Sequence, residues 1–288
     1  MNELDNRGTP DIALGKQTTI GRRSFLRKAT VIGATGIAAF DGLLGYASPQ
    51  EHEDDGTDHD RDEDALKKGD RDILIAAEIA EALAVTTYTN IIDAAPFFTR
   101  LADDDQGYLK FARQEEMSHY LLEQSVTHEP SPFNSFFYPQ HMFSDAQTTL
   151  NVLVTLEDAF IAAYLVGVRN FSAPAFRVTA ARIMGIESDH RTLARVVGPG
   201  VATMDGGPIE KITGIQGVAE SVDPPNNNGY ERTQCWTRIE QAVQALTPFV
   251  DFNAAKAAGF DVSKSFGFAP FTPTLPSALG EFISFKGC

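Results

Sequence analysis

The chain has 288 residues, 43% of them hydrophobic and 22% charged, enough for one sizeable core with appendages or for two small domains. Its formal net charge of −15 argues against a nucleic-acid backbone as partner. Its 2 cysteines, Cys235 and Cys288, make neither a zinc pattern nor a disulfide framework; they could form one bridge or none.

Residues 19–28 read TIGRRSFLRK, followed by ATVIGATGIAAF and DGLLGYAS. Arg22 and Arg23, Phe25, a modest apolar run and a small-residue exit near Ala47 resemble a twin-arginine export signal over residues 1–47. The resemblance implies the twin-arginine machinery as a partner and a destination in the periplasm, the cell envelope or outside the cell. It also implies a protein exported already folded, often with its metal loaded. Asp41 breaks the apolar run after about a dozen residues, too short for a comfortable membrane span. No cysteine follows that run, so no stable membrane anchor is expected. Residues 48–68 form an acidic linker, with EHEDDGTDHDRDED at 51–64. A solvated segment is the plain reading; His52 and His59 among carboxylates leave a loose cation trap as the alternative.

A long helical pattern follows over residues 69–101, rich in Ala, Leu and Ile, with Pro96 placed to kink its last turns. A second helix is expected over 103–127, acidic in its first turn. HEPSPFNSFFYPQHMFSD (128–145) reads as a long crossover loop, its Phe cluster packing over the bundle. Ser144 or Asp145 could cap a third helix ending near Arg169. A fourth spans about 173–197 and stops at Gly198–Pro199–Gly200. After a Gly/Pro/Asn-rich stretch, Trp236, Ile239, Val243 and Leu246 mark a fifth helix over 231–250, and the tail shows no period. The expectation is an all-α chain: a four-helix bundle over residues 69–200 with one long crossover, and a C-terminal extension over 201–288 with a fifth helix and an irregular tail.

Chemistry enters with QEEMSHY (114–120) and GIESDH (185–190). Three helical residues advance about 300° and 4.5 Å, so Glu116 shares a face with His119, and Glu187 with His190. On the first and third helices Glu81 precedes Tyr88, and Glu157 precedes Tyr164, by nearly two full turns. The order Glu-x₆-Tyr, Glu-x₂-His thus occurs twice, as in a duplicated helix hairpin. One Glu-x₂-His pair carries little weight; the interleaved repetition carries much more. Burying four carboxylates and two imidazoles uncompensated is very costly, and two divalent cations supply the matching four positive charges. Carboxylates can bridge two ions while each imidazole serves one, a donor set that suits iron or manganese better than structural zinc.

These motifs resemble the ferritin-like superfamily of di-iron and di-manganese carboxylate proteins. With LEDAFIAAY (156–164) and PPNNNGYER (224–232), the chain is similar to exported ferritin-like domain proteins, relatives of plant desiccation-related proteins. The resemblance spans roughly residues 69–250 and implies a ferritin-like bundle with two metal ions. By position, the implied ligands are Glu81, Glu116, His119, Glu157, Glu187 and His190, with Tyr88 and Tyr164 bonded to ligating carboxylates or serving as plain core aromatics. Glu78 competes with Glu81, and Glu115 with Glu116; the matching repeat spacings favour Glu81 and Glu116. His128 and His141, in the crossover, and Glu231, before the fifth helix, receive no metal role. The expected activity is redox chemistry with a small oxidant, oxygen or peroxide, or oxidation of ferrous iron; protection against stress is implied by resemblance alone. A metal-stabilised structural or interaction protein of the envelope is the alternative. The linker and the C-terminal extension depart from a compact cage subunit, and the oligomer is left open.

Overall fold

The computed structural model describes residues 66–197 and 235–274. The export signal, nearly all of the acidic linker, Glu231 and Cys288 lie outside the described residues.

Helix α1 runs Lys68–Ala94. Its interior has no Gly or Pro beyond Gly69, and Ala and Leu dominate, so little opposes helix formation. It ends earlier than residue 101, because Pro96 forces Ala95 into extended backbone (φ −77°, ψ 119°). One 3₁₀ turn, Phe98–Arg100, bridges to α2, Asp103–Thr127. Asp103, Asp104 and Asp105 place negative charge at the positive end of the α2 dipole. Helix α3 spans Ala146–Asn170, and Asp145 is its cap, accepting from the Thr148 N–H at 2.7 Å. Helix α4, Pro174–Val197, begins on a proline, whose missing N–H costs nothing in a first turn.

The most extensive packing is α1 on α2 and α3 on α4, two helical hairpins. Their apolar interior falls into two clusters. One contains Leu83, Met117, Leu156 and Phe160; the other contains Ile91, Leu109, Ala112 and Val154. Glu116 on α2 and Glu157 on α3 lie in sequence between members of the two clusters, which places a polar layer across the bundle. Helix α3 is long and apolar enough to cross a membrane by composition, yet 72% of its apolar stretch is buried inside the protein.

Two departures from expectation concern the crossover and the tail. The crossover holds a strand, β1 (Ser135–Pro139), antiparallel to β2 (Phe260–Gly267) in what was expected to be an irregular tail. Phe136 and Tyr138 face inward. The Tyr138 ring meets Phe143, Phe266 and Phe249 edge-on at 4.9, 5.2 and 5.9 Å. Its hydroxyl lies 3.0 Å from that of Thr87 on α1.

Helix α5 is Ile239–Val250, so it starts later than residue 231 and excludes Trp236. Gln241 Oε1 accepts from the backbone N–H groups of Thr237 and Arg238 at 2.9 and 3.1 Å, fixing the helix start. Leu246 and Phe249 of α5 join the main apolar cluster of the bundle. Asp251 caps a short α6, Phe252–Ala258, and Gly259 at φ 78° turns the chain into β2, a conformation that suits glycine. The C-terminal segment therefore covers the bundle and shares its core. Cys235, ahead of α5, is exposed.

Candidate metal centre

The helices bring Glu81 (α1), Glu116 and His119 (α2), Glu157 (α3), and Glu187 and His190 (α4) together in the bundle interior, all of them buried. They form two overlapping groups of four. Glu81, Glu116, His119 and Glu187 make one; Glu116, Glu157, Glu187 and His190 make the other. Within each group, one ligand atom per residue lies within 4.8 Å of all the others. His119 Nδ1 sits 3.5 Å from Glu81 Oε2, 3.5 Å from Glu116 Oε2 and 3.2 Å from Glu187 Oε1. His190 Nδ1 sits 2.8 Å from Glu116 Oε1 and 3.6 Å from Glu187 Oε2. Glu81 Oε2, both oxygens of Glu116 and of Glu187, Glu157 Oε2 and both histidine Nδ1 atoms are buried without a hydrogen-bond partner. Orphaned donor atoms from every one of the six residues, oxygen-rich with two imidazole nitrogens, are compatible with a metal site.

The surrounding contacts orient these groups. The Tyr88 hydroxyl donates to Glu157 Oε1 at 2.7 Å, and the Tyr164 hydroxyl donates to Glu81 Oε1. Each tyrosine thus serves the carboxylate of the other hairpin. The exchange follows from α1 and α3 running antiparallel, so that residue 81 lies level with 164 and residue 88 with 157. The same antiparallel relation on α2 and α4 sets Glu116 beside His190 and His119 beside Glu187. Glu115 stands behind His190, with Oε2 2.9 Å from Nε2. With its proton on Nε2 toward Glu115, a neutral His190 ring would present the Nδ1 lone pair inward to a metal. Glu115 is therefore a partner of a histidine, and Glu116 occupies the interior. His128 and His141 are exposed residues of the crossover, both at positive φ, away from the cluster.

Residues 69–198 match a family model described as a ferritin-like domain. Over this segment the chain is similar to that family. Comparison with curated proteins and with solved structures finds no match.

Electrostatics inside the bundle follow from the crowding of charge. Burial, then the neighbouring Glu116 carboxylate, push Glu81 well above the ordinary carboxylate range; burial, Glu116 and Glu187 do the same to Glu157. Burial also opposes ionisation of Glu116, but the His190 and His119 rings outweigh it and hold Glu116 below the usual range. Burial disfavours charged imidazoles; Glu81 beside His119 and Glu116 beside His190 overcome it and raise both. Protons thus share the cluster's negative charge, and a bound cation must displace them. Tyr88 and Tyr164 are raised well above 10 by burial and adjacent carboxylates, so both remain phenols that donate.

Sequence reasoning passed over Glu123. It is buried on α2, and its Oε1 lies 2.7 Å from the Tyr164 hydroxyl that also bonds Glu81. A hydroxyl has one proton and cannot donate to both carboxyls, so one of the two contacts needs a protonated acid. Glu123, raised well above the usual range by burial, fits that role. Its signal was available: residues 116, 119 and 123 share one helical face. The corresponding position on α4, seven residues beyond Glu187, is Ala194. Glu78 does not join the six residues; it is buried nearby and accepts from the Thr127 hydroxyl.

Burial, partly offset by the Thr127 bond, raises Glu78 from 4.5 to about 7. The native state therefore keeps a proton between those values that the unfolded chain has lost, and stability falls as pH rises through that window. Glu78→Gln removes the titration. The metal-free variant is expected to gain stability on the order of 1–3 kcal/mol over the parent at pH 8 and little at pH 5. Melting temperatures at the two pH values check this; an equal change at both contradicts it.

Proposed function

We propose that the protein is an exported ferritin-like protein whose six convergent side chains bind two divalent ions, iron or manganese, for redox chemistry with peroxide or oxygen or for oxidation of ferrous iron. One observation carries the reading: Glu116 and Glu187 belong to both ligand groups. Two carboxylates common to two adjacent groups favour a pair of ions, which Glu116 and Glu187 would help to hold in common, over a single ion. Glu81 and His119 would complete one side, Glu157 and His190 the other. Four carboxylates match the four positive charges of two dications, which offsets a burial cost that the side chains alone bear poorly.

Bound iron or manganese supplies one electron per ion. Reduction of one hydrogen peroxide to two waters consumes two electrons and two protons, so a pair of ions matches the need. The side chains do the rest. Tyr88 and Tyr164 hold Glu157 and Glu81 by their hydroxyls, and Glu115 fixes the His190 ring. Glu123, bonded to Tyr164, lies two hydrogen bonds from Glu81 and is placed to exchange a proton with the cluster. Aliphatic and aromatic neighbours exclude bulk water. Export by the twin-arginine route, supported by the Arg22–Arg23 segment, fits a protein that folds and takes up its ions before translocation. Stress protection is the role in keeping with such chemistry.

The test is anaerobic loading of the full chain with ferrous iron, followed by addition of peroxide or oxygen. The expected result is stoichiometric oxidant consumption with ferric absorbance, lost in Glu116→Ala while its helical circular dichroism is retained. Ions that bind and raise the melting temperature, with oxidation no faster than for free ferrous iron, contradict the redox role and favour a structural metal.

A further inference from the structure

A partly open pocket with a cavity volume of about 30 Å³ lies among the four bundle helices, with Ile239 of α5 at its edge. Ala77 and Ala80 of α1, Ala163 of α3 and Ala180 of α4 make the room. The wall is apolar except for Thr179, Glu123 and Tyr164. The last two face one another, and the Tyr164 hydroxyl continues to Glu81. The cavity thus ends two hydrogen bonds from the candidate metal cluster.

We propose that this cavity binds dioxygen and holds it beside the metal centre. The volume exceeds the roughly 10–15 Å³ that one water-sized occupant needs, and admits nothing beyond a few atoms. An apolar wall offers water or hydrogen peroxide few hydrogen-bond partners, whereas a small apolar gas needs none. Glu123 and Tyr164 bond each other, which engages the Tyr164 hydroxyl and Glu123 Oε1 away from the space. Of the two oxidants considered for the site, only dioxygen suits this space. The delivery role rests on the redox reading above; the binding site does not.

The experiment uses the full chain. Methyl NMR spectra of the metal-free protein under xenon pressure are expected to show saturable shifts at Ala77, Ala80, Ala163 and Ala180. Ala163→Leu fills the space from a half-buried position and should abolish the shifts. After ferrous loading, it should slow oxidation by dioxygen several-fold and leave oxidation by peroxide unchanged. Ala77→Val is a milder filling for the same comparison should Ala163→Leu fail to fold. Absence of saturable shifts overturns the proposal, as does a filled variant that slows both oxidants equally or neither. Saturable shifts in a protein that oxidises nothing with either oxidant overturn the redox reading, and delivery with it, while still locating the apolar binding site.

Discussion

Glu116→Ala is expected to empty both metal positions at once, where His119→Ala empties one. Glu116 is common to the two ligand groups and approaches both imidazoles, with its carboxylate 3.5 Å from His119 Nδ1 and 2.8 Å from His190 Nδ1. His119 belongs to one group only. Loss of a group that merely supports a ligand weakens metal binding about 10–100-fold, so loss of a shared ligand should exceed about 100-fold for the pair. Elemental analysis after gel filtration gives the ion count, and melting with and without added manganese gives a second measure. A ligand that binds only the native state raises the melting temperature, and Glu116→Ala should show no such rise. Wild-type ion content in Glu116→Ala, or equal losses in both variants, contradicts the bridging role.

Arg191→Ala is expected to produce a large loss of stability from outside the cluster. Arg191 on α4 donates to Asp158 Oδ1 on α3 at 2.8 Å, and both residues are buried. Asp158 follows a candidate ligand, Glu157, and Arg191 follows another, His190, so the ion pair pins the two helices one residue from the site. Breaking a buried ion pair by removing one partner costs roughly 3–5 kcal/mol, whereas replacing both partners with apolar residues of similar volume costs far less. Urea denaturation of Arg191→Ala, Asp158→Leu and Asp158→Leu/Arg191→Met measures the difference. A single-variant loss below about 1 kcal/mol, the range of an exposed pair, contradicts the assignment.

The helices were legible in the sequence because their signals are local. Pro96, Asp145 and Pro174 mark boundaries through backbone geometry and hydrogen bonding within a few residues. The six cluster residues stood out for the same reason: spacings of three and seven residues define one helical face without knowledge of the partner helix. The partner itself was not legible. That Tyr164 serves Glu81 and Tyr88 serves Glu157 depends on α1 and α3 lying antiparallel, which is a property of the packed bundle. Glu123 falls outside the repeat, because its counterpart on α4 is Ala194, a place where the two hairpins diverge. Glu115 was weighed as a ligand because it shares a face with His119, and only α4 shows that its carboxylate meets His190 instead. The β1–β2 pairing joins Ser135 to Gly267 across most of the domain, and a five-residue strand leaves too short an alternation to read.

The central claim is that so much buried negative charge is held together by two dications. The most direct test titrates the metal-free full chain with ferrous iron or manganese under anaerobic conditions, counting ions bound and protons released. The account predicts two ions per chain, protons displaced as they bind, and a higher melting temperature. One ion or none per chain, or two ions bound as tightly by a chain carrying Glu116→Ala and Glu187→Ala, would contradict it.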